Sequence, residues 1–205
     1  MLKIWGRANS VNVKKALWAI EELKLKYERI DAGMAFGVNN TPEYRAMNPT
    51  GLVPTIDDDG FVLWESHAIV RYLAAKHASG TLWPTDLQAR ADADRWMDWA
   101  FTFLNALRPV FWGLVRTPEE KRNQAEIDEG IKKCGQLLVA PESGLKGRKH
   151  LGGDAFTMAD IPLGCHIQIW FTLPIERPAT PNLEAWFKRL CERPAYQKIV
   201  NLPLS

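Results

Sequence analysis

The sequence has few of the residues that form disulfide bonds or bind metal ions. It contains 3 cysteines and 4 histidines in 205 residues. The cysteines, at positions 134, 165 and 191, are far apart and odd in number, and no histidine lies at ligand spacing from another histidine or from a cysteine. We therefore expect no disulfide framework and no bound metal, and a reducing, cytoplasmic environment.

Long apolar runs and an excess of one charge are also missing. The most apolar window, 96–115, is interrupted by Asp98, Asn105, Arg108 and Pro109, so we expect no membrane-spanning helix. The first residues lack the apolar region of a secretory signal, and we expect none. With 26 basic and 24 acidic residues the formal charge is +2, which does not favour nucleic acid or an anionic membrane as a partner.

The short motifs of several enzyme classes are absent as well. There is no Gly-x-Ser-x-Gly elbow of the serine hydrolases, and no glycine loop of the nucleotide-binding folds. Tryptophan, in contrast, is abundant, with 9 in the chain. We interpret most of these indoles as core or helix-packing residues, since large aromatic side chains bury much apolar area.

The first 78 residues contain a regular order of elements. Period-two alternation begins the chain, and a helical repeat from Val13 to Leu23 follows, with lysines and glutamates predicted on its solvent face. Thr41 and Pro42 are typical of an N-cap and a first helical position, and Asp59-Gly60 is a strong hairpin signal. The predicted order is β-α-β-α-β-β-α, with strands near 2–5, 27–30, 55–56 and 61–64 and helices near 13–23, 41–46 and 66–76.

No strand pattern is found beyond a linker predicted at 79–86, so we expect an all-α second domain over 87–205. A long helix is predicted from Leu87 to Leu107, ended by Pro109. A second helix is predicted after a capping box at Thr117-Pro118, and Cys134 is expected on its buried face. Three further helices are predicted, one after a second capping box at Thr157 and Asp160, one after a cap at Asn182 and one at Pro194.

Three polar features of the first domain point to a ligand site. The loop Arg7–Asn12 places hydroxyl and amide groups at a helix N-terminus, where the dipole favours negative charge. Val53 precedes a proline, which leaves its backbone beside a bend, and Ser66 begins a helix whose first N–H groups lack intrahelical acceptors. The alternative is that Ser10 or Asn12 is only an N-cap. Together the features favour an extended, peptide-like, anionic ligand.

With these features the sequence resembles a cytosolic glutathione transferase, and the resemblance covers essentially the whole chain. It implies a thioredoxin-like α/β domain at 1–78, a linker at 79–86, and an all-helical domain at 87–205 that contributes a hydrophobic substrate site. The matching motifs, in this order, are Asn48-Pro49-x-Gly51-x-Val53-Pro54, Glu65-Ser66-x-Ala68-Ile69, Thr157-x-x-Asp160 and Pro-Asn-Leu-x-x-Trp at 181–186.

The resemblance also implies how glutathione is held. Pro54 is expected to be a cis-proline that turns Val53 toward the ligand, whose cysteinyl backbone pairs with the Val53 N–H and C=O. Ser66 is expected to hold the γ-glutamyl carboxylate, with Glu65 near the γ-glutamyl ammonium. Leu52 stands where many relatives carry lysine, arginine or glutamine, so one donor to the glycyl end is missing.

Two positions are implied as donors to the thiol. Ser10 matches the activating serine of theta-like members, and Ser10-Val11-Asn12 resembles the Thr-Pro-Asn of nu-like bacterial enzymes, which makes Asn12 a second donor. Serine rather than cysteine at position 10 argues against mixed-disulfide chemistry on the enzyme. The hydrophobic site is expected to draw on side chains that fit a core role equally well, namely Trp99, Phe103, Phe111, Trp112 and Trp170.

The function that the resemblance implies is transfer of glutathione to small hydrophobic electrophiles. Glutathione is then a cosubstrate, and a cytoplasmic homodimer is the implied form of the protein. Two alternatives stay open. One is glutathione-dependent reduction of peroxides or small disulfides, which Asn12 suggests, and the other is a non-catalytic binding module of the same fold.

Overall fold

The computed structural model describes residues 1–205, which divide into two compact units, Met1–Trp83 and Pro84–Ser205. The first unit carries a four-stranded mixed sheet with helices, and the second contains helices with one isolated bridge, between His150 and Gly153. The predicted fold class, a thioredoxin-like α/β domain followed by an all-α domain, is confirmed. No helix combines the length and the apolar character needed to cross a membrane.

The sheet of the first unit has the strand order β2-β1-β3-β4. Strand β1 pairs in parallel with β2 and antiparallel with β3, and β3 pairs antiparallel with β4. The predicted loop at 31–40 contains two short 3₁₀ turns, Met34–Phe36 and Val38–Asn40. The elements are β1 (Leu2–Trp5), α1 (Val11–Glu22), β2 (Tyr27–Ile30), α2 (Pro42–Met47), β3 (Thr55–Asp58), β4 (Phe61–Trp64) and α3 (Ser66–His77).

The core of the first unit forms where α1 and α3 pack together and the central strands pair. Ile4 and Ile56 lie opposite each other in β1 and β3, and both are fully buried. A Cβ at Gly6 would lie 2.4 Å from Val13 Cγ2, so glycine at the end of β1 permits the close approach of α1. This approach brings the start of α1 directly to the edge of the sheet.

The second unit is built around α7, whose residues from Asp160 to Trp170 are all buried. Helix α7 packs against α4 and α8, and α4 also packs against α5. The elements are α4 (Leu87–Phe111), a π-helical turn (Trp112–Arg116), a 3₁₀ turn (Glu119–Lys121), α5 (Gln124–Leu137), α6 (Val139–Gly144), α7 (Asp160–Thr172), α8 (Pro181–Cys191) and α9 (Pro194–Ile199).

The prediction that Pro109 ends the first long helix is wrong. Helix α4 continues to Phe111 with Pro109 inside it, and a π-helical turn follows. Proline removes one helical hydrogen bond, and its ring crowds the carbonyl four residues earlier. The flanking residues Leu107 and Val110 are fully buried, so tertiary packing holds the helix through the proline.

The starts of α5 and α8 also differ from the predictions. Thr117-Pro118 precedes only the 3₁₀ turn, whereas α5 begins after Asn123, whose side chain accepts a hydrogen bond from the Glu126 N–H at 3.3 Å. Several residues in this stretch are suited to capping, and the apolar face of α5 selects the actual start. Cys134 lies on that face and is fully buried, as predicted.

Helix α8 begins at Pro181 after Thr180, so Asn182 is not its cap. The Asn182 N–H and the Leu183 N–H instead donate to the carboxylate of Glu142, at 3.1 and 2.9 Å. Helix N-termini have unsatisfied N–H groups, and a carboxylate from a distant helix satisfies them here. A partner 40 residues away in sequence is invisible to local capping rules.

The start of α7 confirms one half of the predicted capping box. Asp160 is fully buried, and its carboxylate accepts the Thr157 N–H at 3.0 Å. The Thr157 hydroxyl accepts the Ala159 N–H at 3.4 Å rather than that of Asp160. The same carboxylate also accepts the Leu151 N–H and the Trp186 indole N–H, at 3.0 and 2.7 Å, so it joins three segments of the second unit.

Candidate active site

The register of the sheet brings three of the predicted site segments to one edge. Trp5 lies opposite Thr55, and Thr55 lies opposite Trp64, in a row across β1, β3 and β4. Strand β1 ends at Trp5, β3 begins at Thr55, and β4 ends at Trp64. Because the pairs are antiparallel, the loop after β1, the residues before β3 and the residues after β4 all leave the sheet on the same side.

Ser10 occupies the N-cap position of α1 with extended backbone angles, φ −82° and ψ 123°. Its hydroxyl forms no capping hydrogen bond, although the oxygen of a serine at this position ordinarily accepts a hydrogen bond from a free helix N–H. The residue is 7% exposed. The Ser10 side chain therefore does not cap α1 by a hydrogen bond in this structure.

Asn12 is the second residue of α1, and its side chain is tied to Lys15. The Lys15 ammonium donates to Asn12 Oδ1 at 2.9 Å. Lys15 has no exposed surface, and Lys14 is only 7% exposed, so the prediction that the lysines of this helix face solvent is wrong. Helix α1 is buried continuously from Val13 to Ile20, which leaves no solvent face in its central turns.

The loop before Val53 is held by a buried polar network. The carbonyl oxygen of Leu52 accepts hydrogen bonds from the Tyr44 hydroxyl at 2.6 Å and from the Asn48 amide at 2.9 Å. The Thr55 hydroxyl lies 2.7 Å from the Tyr44 hydroxyl and 3.0 Å from the Asn48 amide nitrogen. Burial raises the pKa of Tyr44, so its hydroxyl stays protonated.

The network leaves the backbone of Val53 available. The Val53–Pro54 peptide bond is cis, as the resemblance implies, and Val53 forms no backbone hydrogen bond within the protein. The Leu52 side chain is 66% exposed and brings no polar group to this position. An extended ligand strand beside Val53 therefore finds an unused N–H and C=O.

Gly51 shapes the same loop. It has φ +66°, and a Cβ there would lie 2.7 Å from Arg45 Cζ. The Arg45 guanidinium in turn donates to the Pro49 carbonyl at 3.2 Å. Glycine is thus required by both its backbone conformation and the close approach of an arginine side chain. This accounts for the glycine in the Asn-Pro-Thr-Gly sequence.

Glu65 and Ser66 form the third segment at this edge. Glu65 is an exposed non-glycine residue with φ 72°, a conformation found mostly where surrounding structure imposes it, often at functional sites. Its side chain makes no capping hydrogen bond. Ser66, 3% exposed, is the first residue of α3, so the N–H groups of this turn lack intrahelical acceptors. The turn is suited to bind an anion.

The aromatic residues predicted for a hydrophobic site do not share one environment. Phe103 and Trp170 have no exposed surface and meet edge to face, with ring centroids 6.2 Å apart, so both are core residues of the second unit. Trp99 stacks on Phe103 at 6.2 Å and is half-buried. Trp112 is 47% exposed, and the Arg116 guanidinium lies over the rings of both Phe111 and Trp112.

Sequence reasoning missed Tyr44, whose hydroxyl contacts the Leu52 carbonyl, and Lys15, whose ammonium contacts Asn12. Tyr44 lies in a short amphipathic helix, and its hydroxyl is committed to a loop eight positions further on. Lys15 had no local signal other than its place in the first turns of α1 beside Asn12. No group of three or more histidine, cysteine, aspartate or glutamate side chains is arranged to hold a metal ion.

Known proteins are similar to this chain in architecture and in sequence. Residues 1–75 match the family model for the glutathione S-transferase N-terminal domain, and residues 103–194 match the model for the glutathione S-transferase C-terminal domain. Glutathione S-transferase GstB of Escherichia coli (strain K12) is 46% identical over 208 residues, covering 100% of both chains. Glutathione S-transferase 1 of Zea mays is 30% identical over 209 residues, covering 98% of this chain and 96% of its own.

The solved structures include a similar fold with a ligand. A theta class glutathione S-transferase from Xanthomonas axonopodis pv. citri, crystallised with glutathione bound, is 51% identical with a TM-score of 0.96, covering 100% of this chain and 99% of that one. Its apo form superimposes with a TM-score of 0.87. Because the family models match both units and these relatives span the whole chain, the protein belongs to the glutathione S-transferase family.

Proposed function

We propose that this protein is a glutathione transferase that binds glutathione at the sheet edge of the first unit and activates its thiol as a thiolate. The observation that carries the proposal is the Ser10 hydroxyl, which sits at a helix N-cap and makes no capping hydrogen bond. The names of the relatives and the glutathione-bound structure from Xanthomonas support the same function.

Glutathione is held in this proposal by the three segments that meet at the edge. The N–H and C=O of Val53 pair with the cysteinyl backbone, as one strand pairs with another. The first turn of α3 and the Ser66 hydroxyl bind the γ-glutamyl carboxylate, and the exposed Glu65 carboxylate lies near the γ-glutamyl ammonium. The exposed Leu52 side chain gives no donor to the glycyl carboxylate.

The thiol is activated by hydrogen bonds and by the helix dipole rather than by a strong base. The Ser10 hydroxyl and the Asn12 amide NH₂ donate to the sulfur at the N-terminus of α1, which stabilises the thiolate. A hydrogen bond to a charged group contributes about 1.5–3 kcal/mol, and about 1.4 kcal/mol corresponds to one unit of pKa. Two such donors therefore lower the thiol pKa by roughly two to four units.

The reaction then follows from the thiolate. The thiol proton passes to solvent, the sulfur forms a bond to an electrophilic carbon, and the leaving group departs with its bonding electrons. Trp99, Phe111 and Trp112, which have exposed ring surface, are proposed to bind a small hydrophobic electrophile. A homodimer and a cytoplasmic location complete the proposal and rest on the family alone.

Titration of glutathione with ultraviolet detection of the thiolate tests the proposal. The wild-type protein should show bound thiolate near neutral pH, and Ser10→Ala should lower the thiolate fraction and the conjugation rate by roughly ten- to a hundredfold. Ser79→Ala, which removes an exposed serine hydroxyl from the same unit, should leave both unchanged.

Two results would contradict parts of the proposal. Glutathione binding without thiolate near neutral pH would reject the catalytic function and favour a non-catalytic binding module. A Ser10→Ala variant that matches the wild type would transfer the role of thiol donor to Asn12 or to another group. Measurement of the glutathione Kd beside the thiolate signal separates these two results.

A further inference from the structure

Lys15 is a charged side chain in a place where an apolar one would ordinarily be found. It is among the largest side chains of the protein that have no exposed surface. A buried ammonium is unfavourable unless hydrogen bonds replace its water, and a cation in the first turns of a helix also opposes the helix dipole. A methionine or leucine would fill the same volume without these penalties, so packing alone does not explain a lysine here.

The ammonium connects the two helix N-termini that form the site. Its Nζ lies 2.9 Å from Asn12 Oδ1 in α1 and 3.0 Å from His67 Nε2 in α3. Since an ammonium is a donor only, His67 accepts this hydrogen bond at Nε2. His67 directly follows Ser66, so Lys15 joins the proposed thiol donor to the proposed carboxylate-binding turn.

The contact with Lys15 decides how the Asn12 amide is oriented. An asparagine amide has an oxygen that accepts and an NH₂ that donates, and only the oxygen can face an ammonium. The oxygen is therefore committed to the buried side, and the NH₂ is the part of the amide left for a ligand. Without the lysine, the amide is free to rotate, and its oxygen would repel a thiolate.

We propose that Lys15 is a positioning residue of the glutathione site, whose ammonium holds the Asn12 amide so that the NH₂ faces the glutathione sulfur. The inference deepens the proposed function and rests on it. It predicts that removing the lysine weakens thiolate formation through Asn12, while Ser10 and the backbone of Val53 continue to bind glutathione.

A double-mutant cycle tests this coupling. Lys15→Met should raise the pKa of the bound glutathione thiol by roughly one unit, which lowers the thiolate fraction roughly tenfold at pH values below the wild-type pKa of that thiol. In the Asn12→Ala background the same substitution should change that fraction less than about twofold, because the amide through which it acts is already missing. Lys26→Met, which removes an exposed lysine, controls for the loss of one positive charge.

A lysine that only stabilises the fold would give a different result. Lys15→Met would then lower the urea midpoint while leaving the thiolate fraction of the folded protein unchanged, and that outcome overturns the proposal. Equal effects of Lys15→Met in the presence and absence of Asn12 overturn it as well. The proposed function fails separately, through a wild-type protein that shows no thiolate at all.

A second variant decides the matter if Lys15→Met does not fold. Asn12→Asp keeps an oxygen acceptor for the Lys15 ammonium and replaces the NH₂ donor with a second, negatively charged oxygen. The proposal predicts a folded protein with a thiolate fraction at least roughly tenfold lower than in the wild type. A wild-type thiolate fraction in Asn12→Asp would show that the orientation of the amide has no role.

Discussion

Tyr44→Phe is the substitution that best separates the shape of the proposed glutathione site from its chemistry. The hydroxyl donates to the Leu52 carbonyl at 2.6 Å and lies 2.7 Å from the Thr55 hydroxyl, while the side chain itself is 1% exposed. Phenylalanine keeps the packing and removes only these two hydrogen bonds. The loop that presents the Val53 backbone then loses part of its support.

The loss of stability in Tyr44→Phe depends on the hydrogen bonds that remain in the loop. A hydrogen bond contributes about 0.5–1.5 kcal/mol net, and more when a buried partner is left without a replacement. The Asn48 amide still lies 2.9 Å from the Leu52 oxygen and 3.0 Å from the Thr55 hydroxyl, so neither group is orphaned. We therefore expect a loss of about 1–2 kcal/mol in the free energy of unfolding.

Part of this loss of free energy should also weaken glutathione binding. If half of it reflects the pre-organised Val53 backbone, the Kd for glutathione rises roughly two- to fivefold. The turnover number at saturating glutathione should stay near the wild-type value, because the proposed donors to the sulfur, Ser10 and Asn12, lie at the N-terminus of α1. Isothermal titration calorimetry measures the Kd, and urea denaturation measures the stability.

Tyr27→Phe is the matched control. Its hydroxyl donates to Glu21 Oε1 at 2.9 Å in the same unit, outside the Val53 loop. We expect a small loss of stability and an unchanged Kd. An unchanged Kd in Tyr44→Phe, despite lower stability, would refute the link between the network and Val53, and an equal rise in Tyr27→Phe would show that the effect is not local.

Two further predictions concern the second unit. Asp160→Ala leaves the N–H groups of Leu151, Thr157 and Trp186 without their buried acceptor, so it should lower the free energy of unfolding by about 3–5 kcal/mol, measured by urea denaturation. Burial raises the pKa of Cys134 to about 12, so native protein near neutral pH should resist alkylation there until it unfolds. Mass spectrometry after timed alkylation checks the second prediction, and rapid native labelling of Cys134 would contradict it.

Local sequence signals predicted the elements of the first unit because turns and caps act over a few residues. Thr41 accepts the Tyr44 N–H at 3.2 Å and begins α2, and Asp59-Gly60 connects β3 to β4. In the second unit the boundaries at Pro109 and Asn182 were wrong. There a buried apolar face and the distant carboxylate of Glu142 determine where the helices run and begin.

The sequence by itself determined the family, the fold class and the residue types that the site requires. The order of the motifs along the chain carries that information, since each motif can be recognised from a few neighbouring residues. Only the tertiary structure placed the loop of Ser10, the backbone of Val53 and the turn at Ser66 on one edge, through the register of Trp5, Thr55 and Trp64. Register depends on pairing between segments far apart in the chain.

Lys15 shows the same limit at the level of one side chain. Its spacing in α1 suggested a solvated lysine, yet it is fully buried against a histidine 52 residues away. Periodicity describes one helix, whereas burial depends on everything that packs around it. The resemblance therefore supplied Ser10 and Asn12 as the proposed donors, and only the packed structure revealed the lysine that contacts Asn12.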